Sequence, residues 1–424
     1  MKKIFKMITW INIIPFVFFL NISDTYGSGF AIYTQSSSSL GQSAATIAHT
    51  EDASAIFFNP ALINKLEGTQ IQIGTTLMFP NRKFTSDYSG KTYKEETNLY
   101  FPSTFYMTHK FNEKVSFGLG VFSPFGLGTK WPNDWEGRYI TTKADMKTYN
   151  INPVLSLKIT PNISVAGGFN ILYLDTTLEK KLNFSFFGLP DGNQKLKGDG
   201  MGFGCNFGVL MDLTKDLSIG ASYRSRIKVD INGSLTHDLP SPLLSSFFPN
   251  TNGKVELTLP AQFHFGIFYE GLDPLTFEIA MRWEGWSSYK ELKLNLEQPV
   301  AGYNTLITPK NWKDTYSLNI GVKYQINETI ALLAGYLYSG NPVPASTFEP
   351  TIPDANTHLL TAGIMIKKKD FNFDISYAYQ KLQNRKKNNL IDDNPLDGFN
   401  PEYSANGTYK SDIHMIGLSF TYKF

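Results

Sequence analysis

The chain is poor in cysteine: Cys205 is the only one among 424 residues. A disulfide framework and a cysteine-rich metal site are both excluded. Long hydrophobic runs are missing too. Beyond the first residues, no stretch approaches the roughly 18 apolar residues that mark a membrane-crossing helix. Excess charge of one sign is absent, with Lys+Arg 39 against Asp+Glu 37. A nucleic-acid partner would call for a basic surface, so none is expected. Catalytic signatures are lacking as well. There is no G-x-S-x-G, P-loop or H-E-x-x-H, and the six histidines are scattered without ligand spacing. His414 has no identifiable serine partner. No catalytic residue, metal or cofactor is expected.

The N-terminus carries a processing signal. Lys2, Lys3 and Lys6 precede an apolar stretch from Ile8 to Leu20, and small residues follow at Thr25 and Gly27. This pattern predicts a secretory leader over 1–27, cleaved near Gly27–Ser28. Removing those three lysines and Asp24 leaves basic and acidic residues in equal number. Aromatics are abundant at 14%, with Phe 33 and Tyr 22. A transmembrane barrel uses such an excess in girdles at its two interfaces. A mean hydropathy of −0.20 fits one equally, because lipid-facing and lumen-facing residues alternate and cancel.

Helical periodicity is nearly absent, and a period of two takes its place. In the last segment Ile416, Leu418, Phe420, Tyr422 and Phe424 alternate with Gly417, Ser419, Thr421 and Lys423. The same alternation runs through Leu217–Arg224, Val255–Tyr269 and Phe371–Gln380. Each reads as a strand with one apolar and one polar face. The pattern predicts fourteen strands at 69–83, 101–111, 115–123, 145–159, 163–178, 200–213, 217–236, 254–270, 275–290, 312–325, 329–340, 357–367, 371–385 and 409–424.

The connections carry more weight than the count. Tight turns at 112–114, 160–162, 214–216, 271–274, 326–328 and 368–370 contain turn-forming residues. Longer connections at 84–100, 124–144, 179–199, 237–253, 291–311, 341–356 and 386–408 alternate with them. Transmembrane barrels have short periplasmic turns and long outer loops. In lipid every backbone polar group needs a partner, and closure removes the edges. The expected fold is all-β: a 14-stranded antiparallel transmembrane β-barrel in the outer membrane over 69–424.

Residues 28–68 break the strand pattern. They are rich in small and polar residues and contain Asn59-Pro60-Ala61. A segment of this size would serve as a plug, an N-terminal hatch in a wide lumen.

Here the chain resembles the FadL/TodX family of outer-membrane transporters for fatty acids and hydrocarbons. Ser28-Gly29-Phe30 resembles the family's mature start. Ser36 to Ile63 resembles its hatch, including Asn59, Pro60 and Ala61. Val121 to Tyr139 resembles the end of its third strand and the loop beyond. The resemblance implies passive uptake of a hydrophobic small molecule and its lateral release into the membrane. It implies a kink at Ser123, Pro124, Phe125 and Gly126, where the wall would open, and a gate at Phe30. It also implies that the third and fourth outer loops form a surface groove for substrate.

Composition alone marks those two loops. Phe184, Phe186, Phe187 and Leu189 fall in one, and Leu243, Leu244, Phe247 and Phe248 in the other. Exposed apolar patches mark ligand or partner sites. Arg224, Arg226 and Arg282 share the polar face with Lys228, Glu256, Glu270, Glu278 and Asp374, and are candidate partners for a substrate carboxylate. Outer-membrane lipid and the barrel assembly machinery are the other expected partners, and the barrel is expected to be a monomer. The competing reading is a closed, adhesin-like structural barrel.

Overall fold

The structure is a computed structural model that describes residues 29–391 and 399–424. The expected leader, 1–27, and Ser28 lie outside them. The strands in chain order are β1 (Thr69–Ser86), β2 (Thr92–Lys94), β3 (Ser103–Asn112), β4 (Val115–Phe122), β5 (Gly126–Lys130), β6 (Lys143–Thr160) and β7 (Ile163–Leu182). Then come β8 (Gly192–Asp212), β9 (Leu217–Arg224), β10 (Ile227–Asp238), β11 (Thr251–Leu259), β12 (Gln262–Leu272), β13 (Leu275–Glu284) and β14 (Glu291–Val300). The last are β15 (Tyr303–Pro309), β16 (Thr315–Gln325), β17 (Ile330–Ser339), β18 (Thr357–Lys368), β19 (Phe371–Leu382), β20 (Arg385–Lys387) and β21 (Gly407–Lys423).

Neighbouring strands pair antiparallel, and β21 returns to β1 from Gln70↔Lys423 to Ser86↔Gly407. The result is a closed 14-stranded barrel. Three staves are each made of two strands: β4 with β5, β9 with β10, and β11 with β12. The six tight turns fall where the sequence places them. No helix among the described residues is long and apolar enough to cross a membrane. Crossing is by strands, whose outer face is apolar: Phe207, Ile267, Ile279, Leu318, Leu360 and Phe373 are all exposed there.

Several boundaries differ from the sequence reading. Strands β7, β8, β10 and β11 run well into the third and fourth connections, so those loops shrink to 183–191 and 239–250. The expected strand 275–290 ends at Glu284. The expected loop 291–311 holds the hairpin β14–β15. Its turn residues Ala301 (φ 49°) and Gly302 (φ 84°) both have positive φ, which suits the twist of a two-residue hairpin. Leu292, Leu294 and Leu296 alternate there with Lys293, Asn295 and Glu297.

The largest correction concerns facing. The sequence pattern puts Val255 through Tyr269 on one apolar face of one strand. Instead, Pro260 and Ala261 interrupt it. Above the break Val255, Leu257 and Leu259 are buried inside, whereas below it Ile267 is exposed outside. Ser225 and Arg226 interrupt the neighbouring stave in the same way. Asn206 pairs with Arg224 and Phe203 with Lys228, so three residues on one stave span two on the other. This extra residue is a bulge, and it inverts the side chains beyond it. Arg226, Lys228 and Glu256 are therefore exposed on the outside, not lumenal as the pattern implied.

Residues 30–66 lie within the barrel. Two short helices, α1 (Ser37–Gly41) and α2 (Ala55–Phe58), and a 3-10 turn, Pro60–Lys65, are almost wholly buried. Polar side chains of the wall reach them from many directions. Tyr106 donates to the Gln35 carbonyl, Ser376 to Ser37, Thr361 to Gly41, Asn319 to Ser43 and Ser222 to Phe58. Glu278 accepts the backbone N–H groups of Ile47, Ala48 and His49. The segment thus satisfies its own irregular backbone with side chains of the lumenal face, as burial requires.

Candidate functional site

Above this segment lies a cavity of about 1070 Å³. The upper ends of β7, β8, β10 and β11 and the hairpin β14–β15 line it, together with parts of the outer connections. The walls are apolar: Leu174, Ile231, Leu235, Val255, Leu257 and Leu294 are examples. The inverted face of β10 and β11 supplies four of these six.

Phe30 closes one end. Its ring lies 4.5 Å from Trp286, 5.6 Å from Trp312, 6.2 Å from Tyr289 and 6.2 Å from Phe125. Such edge-on and tilted packing favours aromatic clusters beyond simple burial. Gly29 sits at φ +61°, and a Cβ there would lie 2.8 Å from Trp312. Only glycine combines that backbone with that closeness. Its N–H donates to Asp354, whose carboxyl is pushed up to about 7 by burial.

The residues expected to form a kink do interrupt a strand. Phe122 pairs with Asn150 and Gly126 with Lys147, leaving three residues opposite two. Contrary to the expected loop 124–144, the strand resumes as β5. The N-terminal segment pairs with the interruption. Ile32 N–H donates to the Pro124 carbonyl at 2.8 Å, and Gly126 N–H donates to the Phe30 carbonyl at 2.9 Å. The Thr148 side chain takes up the Phe125 carbonyl. Among the described pairings, β5 pairs with β6 alone, whereas β4 pairs with both β3 and β6.

Asn59 caps the 3-10 turn. Its Oδ1 accepts the Ala61 N–H, and its Nδ2 donates to the carbonyls of Ile47 (2.8 Å) and Val209 (3.0 Å). Pro60 opens that turn, where its fixed φ fits and no N–H is missed. A Cβ on Gly208 would lie 2.3 Å from Asn59 Oδ1, so the wall is glycine where the motif presses on it.

The loop residues divide. Phe184, Phe186, Phe187 and Phe248 line the cavity, with Phe184 buried against Phe248. Leu189, Leu243, Leu244 and Phe247 do not line it, and Leu243 and Phe247 are exposed. None of the three arginines lines the cavity either. Arg224 is buried below it, bonded to Asn170 and the Phe57 carbonyl and stacked on Phe57 and Phe122. Arg282 packs over Tyr33 beside Glu284. Arg226 faces outward. The pattern missed Tyr289, Leu292, Leu294, Leu306, Lys310 and Glu349, all of which line the cavity. The period-two run of leucines in 291–297 was the available signal for the hairpin.

The family described as outer membrane protein transport protein (OMPP1/FadL/TodX) matches residues 20–424. The chain belongs to that family. The long-chain fatty acid transport protein of Escherichia coli O6:H1 is 24% identical over 85% of this chain and 88% of its own. The 47 kDa outer membrane protein of Pasteurella multocida is 23% identical over 94% of each chain. Among solved structures, a Pseudomonas aeruginosa FadL homologue superposes with a TM-score of 0.83 at 19% identity, covering 94% of this chain and 100% of its own. The Ralstonia pickettii toluene transporter TbuX gives 0.69 at 17% identity, over 92% and 98%. This FadL/TodX member is an outer-membrane protein.

Proposed function

We propose that the protein carries hydrophobic small molecules across the outer membrane. They would be caught at the apolar rim around Phe186 and Phe187, held in the cavity, and released sideways into lipid at the Ser123–Gly126 interruption. Relatives named for the transport of long-chain fatty acids and of toluene support this reading. The observation that carries it is an apolar cavity whose end wall, Phe30, packs on Phe125 of the interrupted strand. Residues 28–68 act as the hatch, Phe30 as the gate, and Asn59, Pro60 and Ala61 as the motif that seats the hatch.

Sideways exit follows from solubility. Returning a hydrocarbon chain to water costs about 0.8 kcal/mol per CH₂, or about 13 kcal/mol for sixteen. Release into lipid avoids most of that cost. The test is uptake of a hydrophobic tracer in a host lacking other such transporters. Replacing Pro124 by Thr and Gly126 by Val favours a continuous ladder. Assembly should survive while uptake falls at least about tenfold, a change of 1.4 kcal/mol or more in barrier. Normal uptake in a well-assembled variant with an unbroken third strand would refute exit at this place.

A further inference from the structure

Charge is scarce in the cavity and confined to two places. Near the mouth, Glu179, whose side chain is a third exposed, pairs with Lys195 at 3.4 Å, and Lys180 and Lys181 line the rim beside it, with Lys181 donating to Asn193. Deeper, beside Tyr289 and Ile352, Lys310 and Glu349 both line the wall and form an ion pair with each other. Lys310 is 4% exposed and Glu349 8%. The pair is built in. Thr347 donates to the Lys310 carbonyl, and Lys310 N–H donates to the Lys290 carbonyl at 2.8 Å. The arginines that the sequence offered for a carboxylate all lie elsewhere. Lys310 is therefore the deep cation of the cavity among the described lining residues, and Glu349 already neutralises it.

We infer that Glu349 sets the substrate class: the cavity takes uncharged apolar molecules, such as hydrocarbons, alcohols or esters, in preference to carboxylates. This rests on the transport reading above. A carboxylate reaching Lys310 would bring a second negative charge against Glu349 where water is scarce. Like charges so placed disfavour binding strongly. A neutral head group meets a pair whose charges are already balanced, and leaves it intact. An ion pair whose work is solely to fasten the loop 341–356 to the hairpin would affect stability, but not the choice between ligands of equal length.

The experiment uses the purified, detergent-solubilised full barrel. The change in intrinsic tryptophan fluorescence, to which Trp286 and Trp312 beside Phe30 contribute, is titrated with a sixteen-carbon fatty acid, as its salt at alkaline pH, and with its methyl ester. The wild type should bind the ester at least about tenfold more tightly. Glu349→Gln frees Lys310, and the ratio should collapse or reverse, mainly through tighter carboxylate binding. In the double variant Lys310→Met, Glu349→Gln the preference for the ester should return. A wild type that binds the carboxylate more tightly overturns the inference while leaving transport standing, and needs no variant to fold. An unchanged ratio in a well-folded Glu349→Gln protein also overturns it. Binding of neither ligand to the wild type overturns the transport reading together with this one.

Discussion

The lower and upper halves of the paired staves β9–β10 and β11–β12 are built from one apolar pattern used in opposite senses. In the lower half the apolar residues, Ile219, Tyr223 and Ile267 among them, point away from the lumen, and Ser222, Arg224 and His264 point in. In the upper half Ile227, Val229, Ile231, Val255 and Leu257 point in, and Lys228 and Glu256 point out, where they pair. The apolar medium lies outside the barrel at membrane depth and inside it above, in the cavity. One bulge at Ser225–Arg226, matched by the break at Pro260–Ala261, lets a single period-two sequence serve both. Pro260 lacks an N–H and so sits where the ladder is already broken.

Three experiments test this contrast and a fourth tests the seat of the N-terminal segment; the largest effect is expected at the lipid face. Ile267→Lys puts a charge on the lower, outer face, where Lys costs about 2–4 kcal/mol near the bilayer midplane. Loss of the heat-modifiable band on unboiled gels should follow. Leu257→Lys, at the same parity but above the break, should assemble and lose ligand binding. Equal assembly of both variants would remove the distinction between the halves.

Deleting Arg226 removes the extra residue and should turn the upper face inside out. The barrel should still form from its lower half, but tryptophan quenching by a hydrophobic ligand should be lost. Wild-type binding would show that the bulge does not set the facing.

Asn59→Ala tests the hatch seat. It strips a cap and leaves the buried Ile47 carbonyl short of a donor, at about 1–3 kcal/mol. Protease added from the periplasmic side should then cut within 29–68, whereas the wild type should stay uncut there. Unchanged resistance would show that the other contacts of the segment suffice. The smallest effect is expected from Lys228→Ala. That pair is exposed, and such pairs contribute little to stability. The melting temperature should not move measurably, whereas a clear drop would mean that the outer face of the upper half is not solvated.

Much of this was legible in the chain. Strand number, alternation of short turns with long connections, and the outward row Ile416–Phe424 all follow from a local rule with period two. The interruption at Pro124 and the oddity of 28–68 were visible because both break that rule. Facing beyond a bulge was not legible. The shift of one residue depends on how many residues the neighbouring strand spends over the same distance. The hairpin β14–β15 was hidden by expectation more than by sequence, since its leucines alternate plainly. The meeting of Lys310 with Glu349 had no local sign. They stand 39 positions apart on two outer connections, and only the closed wall brings them together.

By itself the sequence determined that this chain crosses a membrane with strands, because alternation of apolar and polar side chains is a property of neighbours along the backbone. It also determined that something other than a regular strand occupies 29–68, and that the third and fourth connections carry an excess of apolar side chains. Tertiary structure decided which face each half of a strand presents, which aromatic rings gather around Phe30, and which cation lies deep in the cavity. Those depend on register between strands and on closure of the barrel, which couple residues hundreds of positions apart and leave no trace in any short stretch of the chain.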